Sequence, residues 1–172
     1  MINVVTKKIS GLLSLLLSFD KKTQGPAEVS VDYNKIHAER AKAFKSEFSG
    51  TKCIVIGCNT GKDCSYFVEF GAEAVHGVDV VDNVGKDFIH PRVTYYQISA
   101  ENMGTLQSNY YDLVYCIATM EHIHNVRAAF SEMVRIAKKD GIIYCVSAPL
   151  WNSRWVIIRV ISSAHIHGFI FA

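Results

Sequence analysis

The chain lacks several features that would by themselves indicate a particular class of protein. Its 172 residues contain only three prolines, and we find no internal repeat and no low-complexity tract. The net charge is +2 without a basic stripe, so electrostatic capture of nucleic acid is not expected. No apolar run is long enough for an integral membrane span. With 49% hydrophobic and 20% charged residues, the composition is that of one globular domain with a sizeable core.

The five cysteines lack the pairing that disulfides or metal sites require. No Cys-x-x-Cys occurs, and no cysteine is paired with histidines at the spacing of metal ligands. Cys53, Cys116 and Cys145 fall inside predicted strands. The sequence therefore predicts buried free thiols in a reducing compartment, a cytoplasmic location and no metal site.

The first part of the chain differs from the rest in its pattern. An apolar run at 9–19 has the length of a signal-peptide core, but charged residues follow it instead of a small-x-small cleavage site. Serines and leucines segregate to opposite helical faces within the run, so we predict an amphipathic helix that packs on the core or on a partner. Weak contact with a membrane surface is the alternative. We expect helix and linker over 1–31 and the main domain over 32–172.

Strand-like and helix-like segments alternate through the main domain. The predicted order is a helix with Asp32 as N-cap to about Phe48, strand one at 52–57, a helix at 63–70, strand two at 74–80, strand three at 93–98, strand four at 111–117, a helix from about Asn125 to Lys138, and strand five at 142–148. Lys138 and Lys139 suit the C-terminal dipole of the last helix, and Gly141 suits its C′ position. This alternation predicts a parallel, doubly wound sheet.

A glycine turn follows the first strand, where a nucleoside would bind. The run Cys53–Gly61 passes from a β-branched strand through this turn into a helix, whose free N–H groups and positive dipole end face the turn. The second strand ends on Asp79, an acceptor suited to a ribose diol. A dinucleotide fingerprint would require glycines where Asn59 and Lys62 stand, which disfavours a nicotinamide-dependent oxidoreductase.

The glycine spacing and several short motifs resemble the class I S-adenosylmethionine-dependent methyltransferases, in particular the type 11-like domain. The resemblance covers roughly Tyr33 to Pro149 and rests on Ile56-Gly57-Cys58-Asn59-Thr60-Gly61, Gly77-Val78-Asp79, Ser99-Ala100-Glu101-Asn102-Met103, Tyr111-Asp112-Leu113-Val114-Tyr115, Met120-Glu121-His122-Ile123 and Gly141-Ile142-Ile143. It implies a three-layer α/β/α Rossmann-like sandwich with a mostly parallel sheet of order near 3-2-1-4-5. Because about 23 residues follow strand five, we expect abbreviated C-terminal strands and a chain apparently truncated there.

The resemblance also implies the cofactor, S-adenosylmethionine, and the residues around it. By this resemblance Gly57, Cys58, Asn59 and Gly61 line its methionine and ribose side, Asp79 holds the ribose hydroxyls, Val80 packs on the adenine, Ser99, Ala100 and Glu101 lie at the adenine edge, and Cys116, Ile117 and Ala118 face the methyl centre. His122 stands where the family often has a histidine. It is a candidate general base toward the acceptor, and a structural role at a helix start is the alternative.

Some positions depart from the family pattern. Val55 stands where the family usually has an acid, and Ser99 replaces the acid that typically binds the adenine amino group. We expect a methyltransferase acting on a small-molecule acceptor. The alternative is a truncated, non-catalytic domain that serves as a binding or interaction module. The β-branched run 155–161 is expected to pair antiparallel with strand five and to substitute for the missing strands.

Overall fold

The computed structural model describes residues 32–43 and 47–147, and the backbone alone of 157–162. The helices are α1 (Tyr33–Ala43), α2 (Lys62–Glu69) and α3 (Val126–Ile136), with a 3-10 turn at Met120–His122, and the strands are β1 (Lys52–Ile56), β2 (Ala74–Asp79), β3 (Val93–Gln97), β4 (Tyr111–Ile117), β5 (Ala137–Ser147) and β6 (Ile157–Ser162). The expected helix at 9–19 and the domain boundary after residue 31 lie outside the described residues and stay predictions.

Within the described part of the chain, the strands form one sheet of order β3-β2-β1-β4-β5-β6. The first five strands are parallel, and β6 runs antiparallel to β5. The predicted doubly wound, Rossmann-like fold with order 3-2-1-4-5 is therefore confirmed. The crossovers place the carboxyl ends of β1, β2 and β4 at one edge of the sheet, where open α/β sheets bind ligands.

Strand β1 shows how the sequence builds three layers. Its four residues from Cys53 to Ile56 are at most 1% exposed, as expected for a central strand that is covered on both faces. Cys53 and Val55 pack in a cluster with α1 and α2, whereas Ile54 and Ile56 pack in a second cluster with α3. The alternation of the strand therefore distributes its side chains between two cores, one on each face of the sheet.

The end of α3 differs from the prediction. The helix begins after Asn125, whose side chain accepts a hydrogen bond from Ala128 N, but it ends at Ile136 and β5 begins at once. Lys138 lies in the strand, and its Nζ is 2.9 Å from Asp112 Oδ2. Gly141 is not a helix cap, because it lies inside β5. Glycine is needed there because a Cβ would lie 2.7 Å from the Tyr111 carbonyl oxygen, across the irregular start of the β4–β5 pair.

The first helix also ends earlier than predicted. Asp32 caps α1 as expected, with Oδ1 accepting from Lys35 N at 3.1 Å, and the helix is described to Ala43. Phe48 is not helical, because its carbonyl oxygen accepts bonds from the backbone N–H and the hydroxyl of Thr51 in the turn before β1. Its ring is 4% exposed and packs on the side chains of α2.

The expected antiparallel pairing of the tail with β5 is confirmed over the described part of the predicted run. The strand is described from Ile157 to Ser162, one residue beyond the predicted end, and its register runs from Ser147 opposite Ile157 to Ile142 opposite Ser162. Positions 155 and 156 of the predicted run lie outside the described residues. The backbone N–H and C=O groups that β5 would otherwise expose at the sheet edge are thus hydrogen-bonded to β6.

Candidate functional site

An open cavity of about 400 Å³ lies at the carboxyl edge of the sheet. The loops after β1, β2, β3 and β4 all contribute to its wall, which is the arrangement that the sequence predicted for a nucleoside. Of the predicted site residues, the wall contains Gly57, Asn59, Asp79, Val80, Ser99, Ala100, Glu101 and His122, together with Ala118. The fold therefore brings together residues that are up to 65 positions apart in the sequence, from 57 to 122.

The glycine loop after β1 closes on the end of β2. The N–H groups of Gly57 and Cys58 both donate to the Val78 carbonyl, at 2.8 and 3.1 Å. Gly57 and Asn59 have φ of +74° and +46°, and asparagine is among the residues that tolerate this left-handed region best. The turn therefore needs glycine at 57 and accepts asparagine at 59, where the related motif has a glycine.

Asp79 fixes this loop through its carboxylate. Its Oδ2 accepts from Asn59 N at 2.8 Å, and its Oδ1 accepts from Val80 N at 2.7 Å and from Val81 N at 3.3 Å. A carboxylate offers about four lone-pair sites, so Oδ2 keeps one for a ligand hydroxyl. Asp79 is therefore both a loop anchor and a candidate ribose acceptor.

Thr119 is a wall residue that the sequence reasoning missed. Its hydroxyl lies 3.3 Å from the Ile56 carbonyl oxygen and 2.8 Å from that of Ile117, which links the ends of β1 and β4. A Cβ on Gly57 would lie only 2.1 Å from Thr119 Oγ1, so the two residues are in close contact. Ala118 before it has φ of +48°, and backbone strain of this kind is concentrated at functional sites.

The adenine side of the expected site is built from the loop after β3. Ser99 Oγ accepts from Glu101 N at 3.2 Å, and Ala100 is 8% exposed because it packs against the second core. Glu101 Oε1 accepts from the N–H groups of His124 and Asn125, both at 3.1 Å. The second carboxylate oxygen of Glu101 is the acceptor that this loop can offer to a ligand.

Four predicted cofactor residues lie outside the cavity wall. Cys116 is fully buried in the core that packs against α3. Cys58 is 3% exposed and belongs to the core on the opposite face of the sheet. Ile117 packs against that same core. Gly61 has φ of +99°, and a Cβ there would lie 2.3 Å from the Tyr95 hydroxyl oxygen. At position 61, glycine is therefore required by a neighbouring side chain.

His122 and Glu121 follow β4 in the 3-10 turn. His122 is exposed on the cavity wall, and its backbone N–H donates to the Thr119 carbonyl at 2.9 Å. Glu121 turns toward β5 instead, where Ser147 Oγ donates to its Oε2 at 2.5 Å. The histidine ring is therefore the group of this turn that a bound acceptor can reach.

A polar network joins the start of α1 to the start of α2, directly after the glycine loop. The Lys62 ammonium lies 2.8 Å from Asp32 Oδ2 and holds the pKa of that carboxyl at about 2. Tyr66 donates its hydroxyl proton to the same carboxylate at 2.9 Å. Burial raises the pKa of Asp63, while the Asn34 amide that donates to it acts in the opposite direction. These contacts fix the helix that begins at the loop.

Other site types find little support in the described ranges. No three histidine, cysteine or acidic side chains there are grouped as a metal ion would require. None of the five cysteines, all within the described residues, forms a disulfide, and four of them are buried. None of the helices described here has the length and apolar character to cross a membrane.

The fold is that of an α/β domain of the Rossmann-like class, with an open crevice at the carboxyl edge of its parallel strands. The chain matches the sequence model of the type 11 family described as "Methyltransferase domain" over residues 54–145, which is more than half of its length. The chain therefore belongs to this methyltransferase family.

Individual relatives agree with this assignment. The ubiquinone biosynthesis O-methyltransferase of Methylococcus capsulatus is 29% identical over 105 residues, which is 58% of this chain and 44% of that protein. The chain thus spans less than half the length of this curated relative. The YcgJ protein of Bacillus subtilis has a TM-score of 0.59 at 21% identity, over 65% of this chain and 50% of its own. An S-adenosylmethionine-dependent methyltransferase of Mesorhizobium loti has a TM-score of 0.56 at 18% identity, over 73% of this chain and 63% of its own. At these identities the two structures show a shared fold.

Proposed function

We propose that this protein transfers a methyl group from S-adenosylmethionine to a small-molecule acceptor. The observation that carries the proposal is the position of Asp79, at the tip of β2 and bonded to Asn59 N in the glycine loop. Family membership implies use of this cofactor, and the crevice supplies matching groups. A cytoplasmic location is part of the proposal, because buried free thiols suit a reducing compartment.

The residues of the cavity fit the parts of the cofactor. Asp79 Oδ2 would accept a ribose hydroxyl, and Val80 would cover the adenine. Val80 is 63% exposed although it is a large apolar side chain, and a flat apolar ligand in the cavity would cover it. Ser99 and Glu101 would face the polar edge of the base, and Gly57 allows close approach of the methionine part.

The chain's own task in this reaction is to position the methyl donor and the acceptor and to exclude water. When bound, the cofactor supplies a methyl group on a sulfonium, whose leaving group is already activated, so no protein nucleophile is needed. Thr119 and Gly57 close the floor between β1 and β4. His122 would take the proton of a hydroxyl acceptor as general base, and its exposed place on the cavity wall supports this role.

An acceptor that bears a hydroxyl group is the class we favour. Two observations support this class: the Methylococcus capsulatus relative is an O-methyltransferase of ubiquinone biosynthesis, and a histidine lies on the cavity wall. Replacing His122 by Ala should abolish turnover on such an acceptor. The affinity for S-adenosylhomocysteine, the product that the cofactor leaves, should stay within about twofold, since this histidine is proposed to face the acceptor.

Calorimetric titration with S-adenosylhomocysteine, S-adenosylmethionine and NAD tests the proposal. We expect heat with the first two ligands and none with NAD, because the glycine loop lacks the dinucleotide spacing. Binding of NAD alone would contradict it. Binding of S-adenosylhomocysteine without turnover on any hydroxyl-bearing acceptor would favour the non-catalytic binding module. If none of these ligands gives heat, the assignment of the cofactor is wrong.

A further inference from the structure

The side chain of Tyr95 on β3 is surrounded by three glycines from three different segments. A Cβ added to Gly61, at the start of α2, would lie 2.3 Å from the tyrosine hydroxyl oxygen. Cβ atoms added to Gly77 in β2 and to Gly85 in the loop after β2 would lie 2.7 and 2.2 Å from ring carbons. No side chain fits at such distances, so one tyrosine ring requires glycine at all three positions.

The hydroxyl of Tyr95 holds the far end of the loop after β2. It donates to the Phe88 carbonyl oxygen at 2.6 Å, which is a short hydrogen bond. Burial of the ring raises the pKa of Tyr95, so the hydroxyl keeps its proton and remains a donor near neutral pH. The loop is therefore fixed both by contact with the ring and by this bond.

That loop in turn holds the glycine loop of the crevice. Gly85 N donates to the Asn59 carbonyl at 3.0 Å, and Asp87 N donates to the Thr60 carbonyl at 2.9 Å. On its other side, Asn59 donates its own N–H to Asp79 Oδ2 at 2.8 Å. The position of Asn59, between the two loops, thus depends on contacts that converge on Tyr95.

We propose that Tyr95 is a positioning residue for the ribose end of the crevice. Its ring and hydroxyl hold the loop 81–88 in place, and that loop holds Asn59 and Thr60 where Asn59 N meets the Asp79 carboxylate. Tyr95 itself stays outside the cavity wall and touches no ligand. The coupling of the two loops stands by itself, whereas its effect on S-adenosylmethionine affinity rests on the proposed function.

Two variants separate the ring from the hydroxyl. Tyr95→Phe keeps the ring and removes the bond to Phe88, and Tyr95→Leu removes the ring as well. Tyr110→Leu is the matched control, because Tyr110 is another half-buried tyrosine that packs against the second core. Thermal denaturation of each variant gives the general loss of stability with which the specific readouts are compared.

The first readout needs no ligand. Hydrogen exchange of the Gly85 and Asp87 amides, followed by NMR, reports the two bonds to the glycine loop directly. We expect exchange at least about tenfold faster in Tyr95→Leu and close to the parent rate in Tyr110→Leu, because local opening follows loss of local contacts. Parent-like exchange in Tyr95→Leu would overturn the coupling. Should this variant not fold, the same comparison with Tyr95→Phe decides.

The second readout is the affinity for S-adenosylhomocysteine measured by calorimetry. Loss of one partly buried hydrogen bond predicts a dissociation constant about fivefold higher for Tyr95→Phe. Tyr95→Leu should weaken binding further, while Tyr110→Leu binds like the parent. Faster amide exchange with unchanged affinity would overturn the role in cofactor positioning. If the parent itself does not bind, the proposed function fails, and amide exchange alone decides whether the loops are coupled.

Discussion

At the scale of single residues, Asp79 has two tasks that a substitution would disturb together. We predict that Asp79→Ala weakens S-adenosylhomocysteine binding by about 1.5–3 kcal/mol, the loss expected for hydrogen bonds to a charged group. The sequence alone suggests that folding would change little, since a strand-end carboxylate is not a core residue. From the structure we expect a loss of stability as well, because the carboxylate accepts three backbone N–H bonds in the loops after β1 and β2. Calorimetry and thermal denaturation measure the two effects separately.

Asp82→Ala is the control for this prediction. Asp82 is an exposed acid only three positions away, and its carboxylate accepts from the Gln97 amide at 3.0 Å outside the cavity wall. We expect parent-like affinity from this variant. An Asp79→Ala protein that binds as tightly as the Asp82→Ala protein would remove Asp79 from the ribose site.

His37 on α1 gives the protein a defined sensitivity to acid. Burial, with a smaller contribution from the charge of Arg40, lowers the pKa of His37 from its usual 6.5 to about 4. Its Nδ1 lies 3.1 Å from the hydroxyl oxygen of the buried Tyr144. The folded state thus favours neutral imidazole, so this contribution to stability is complete above pH 6.5 and is lost as the pH falls toward 4. We expect a loss of about 2 kcal/mol, reduced for partial exposure.

The His37→Asn variant isolates this effect. We predict that the difference in unfolding free energy between parent and variant, measured in urea, shrinks by about 2 kcal/mol between pH 6.5 and 4. Asp32 contributes in a separate window, from its usual 3.8 down to about 2, because its pKa is lowered. A difference that stays constant across pH 6.5 to 4 would show that His37 protonates equally in both states.

At the scale of the secondary structure elements, the irregular connection 98–110 is held on α3 by one ion pair. Arg135 donates to the carbonyls of Leu106 and Met103 at 2.9 and 2.8 Å and to both oxygens of Glu132. Glu132 in turn accepts from Met103 N at 2.7 Å, and the hydrogen bonds that Arg135 donates lower the pKa of Glu132. The loop that begins at Ser99 is therefore fixed without a helix of its own.

Removal of the Arg135 contacts should loosen the part of the crevice wall that Ser99, Ala100 and Glu101 form. We predict that Arg135→Ala lowers the unfolding free energy by about 1.5–3 kcal/mol, because several bonds to a charged group are lost together. Arg135→Lys should recover only part of it, since an ammonium cannot reproduce the planar fork of the guanidinium. Arg127→Ala, an exposed arginine on the same helix, is the control. Equal stability of the two alanine variants would contradict this account.

Element types could be read from the sequence where local pattern determines them. The β-branched run of β1 and the apolar stripe of α3 have the periods of a buried strand and of a helix, and both were predicted correctly. The end of α3 was missed because Gly141 fits a helix cap and a close strand contact equally well. Thr119 was missed because only the fold brings it against Gly57, which no local signal reveals.

At the scale of the whole molecule, β6 protects one edge of the sheet. Deletion of 155–172 would leave unpaired those N–H and C=O groups of β5, from Ile142 to Ser147, that face β6, while the groups on its other edge stay paired with β4. We predict a lower melting temperature and concentration-dependent association, measured by thermal denaturation and analytical ultracentrifugation. Deletion of 163–172 alone keeps β6 and serves as the control. If the longer deletion behaves like the shorter one, the pairing of β6 does not stabilise the sheet.

The antiparallel return of β6 also gives the protein two separate optical probes. Both tryptophans, at 151 and 155, lie in the connection between β5 and β6, and β1 to β5 contain none. The interior of the sheet carries tyrosines instead, at 111, 115 and 144, each at most 1% exposed. We expect fluorescence excited where tyrosine does not absorb to report on the segment that joins β5 to β6, and near-ultraviolet circular dichroism in the tyrosine region to report on the core. Opening of the edge before the core melts would appear as a loss of coincidence between the two signals.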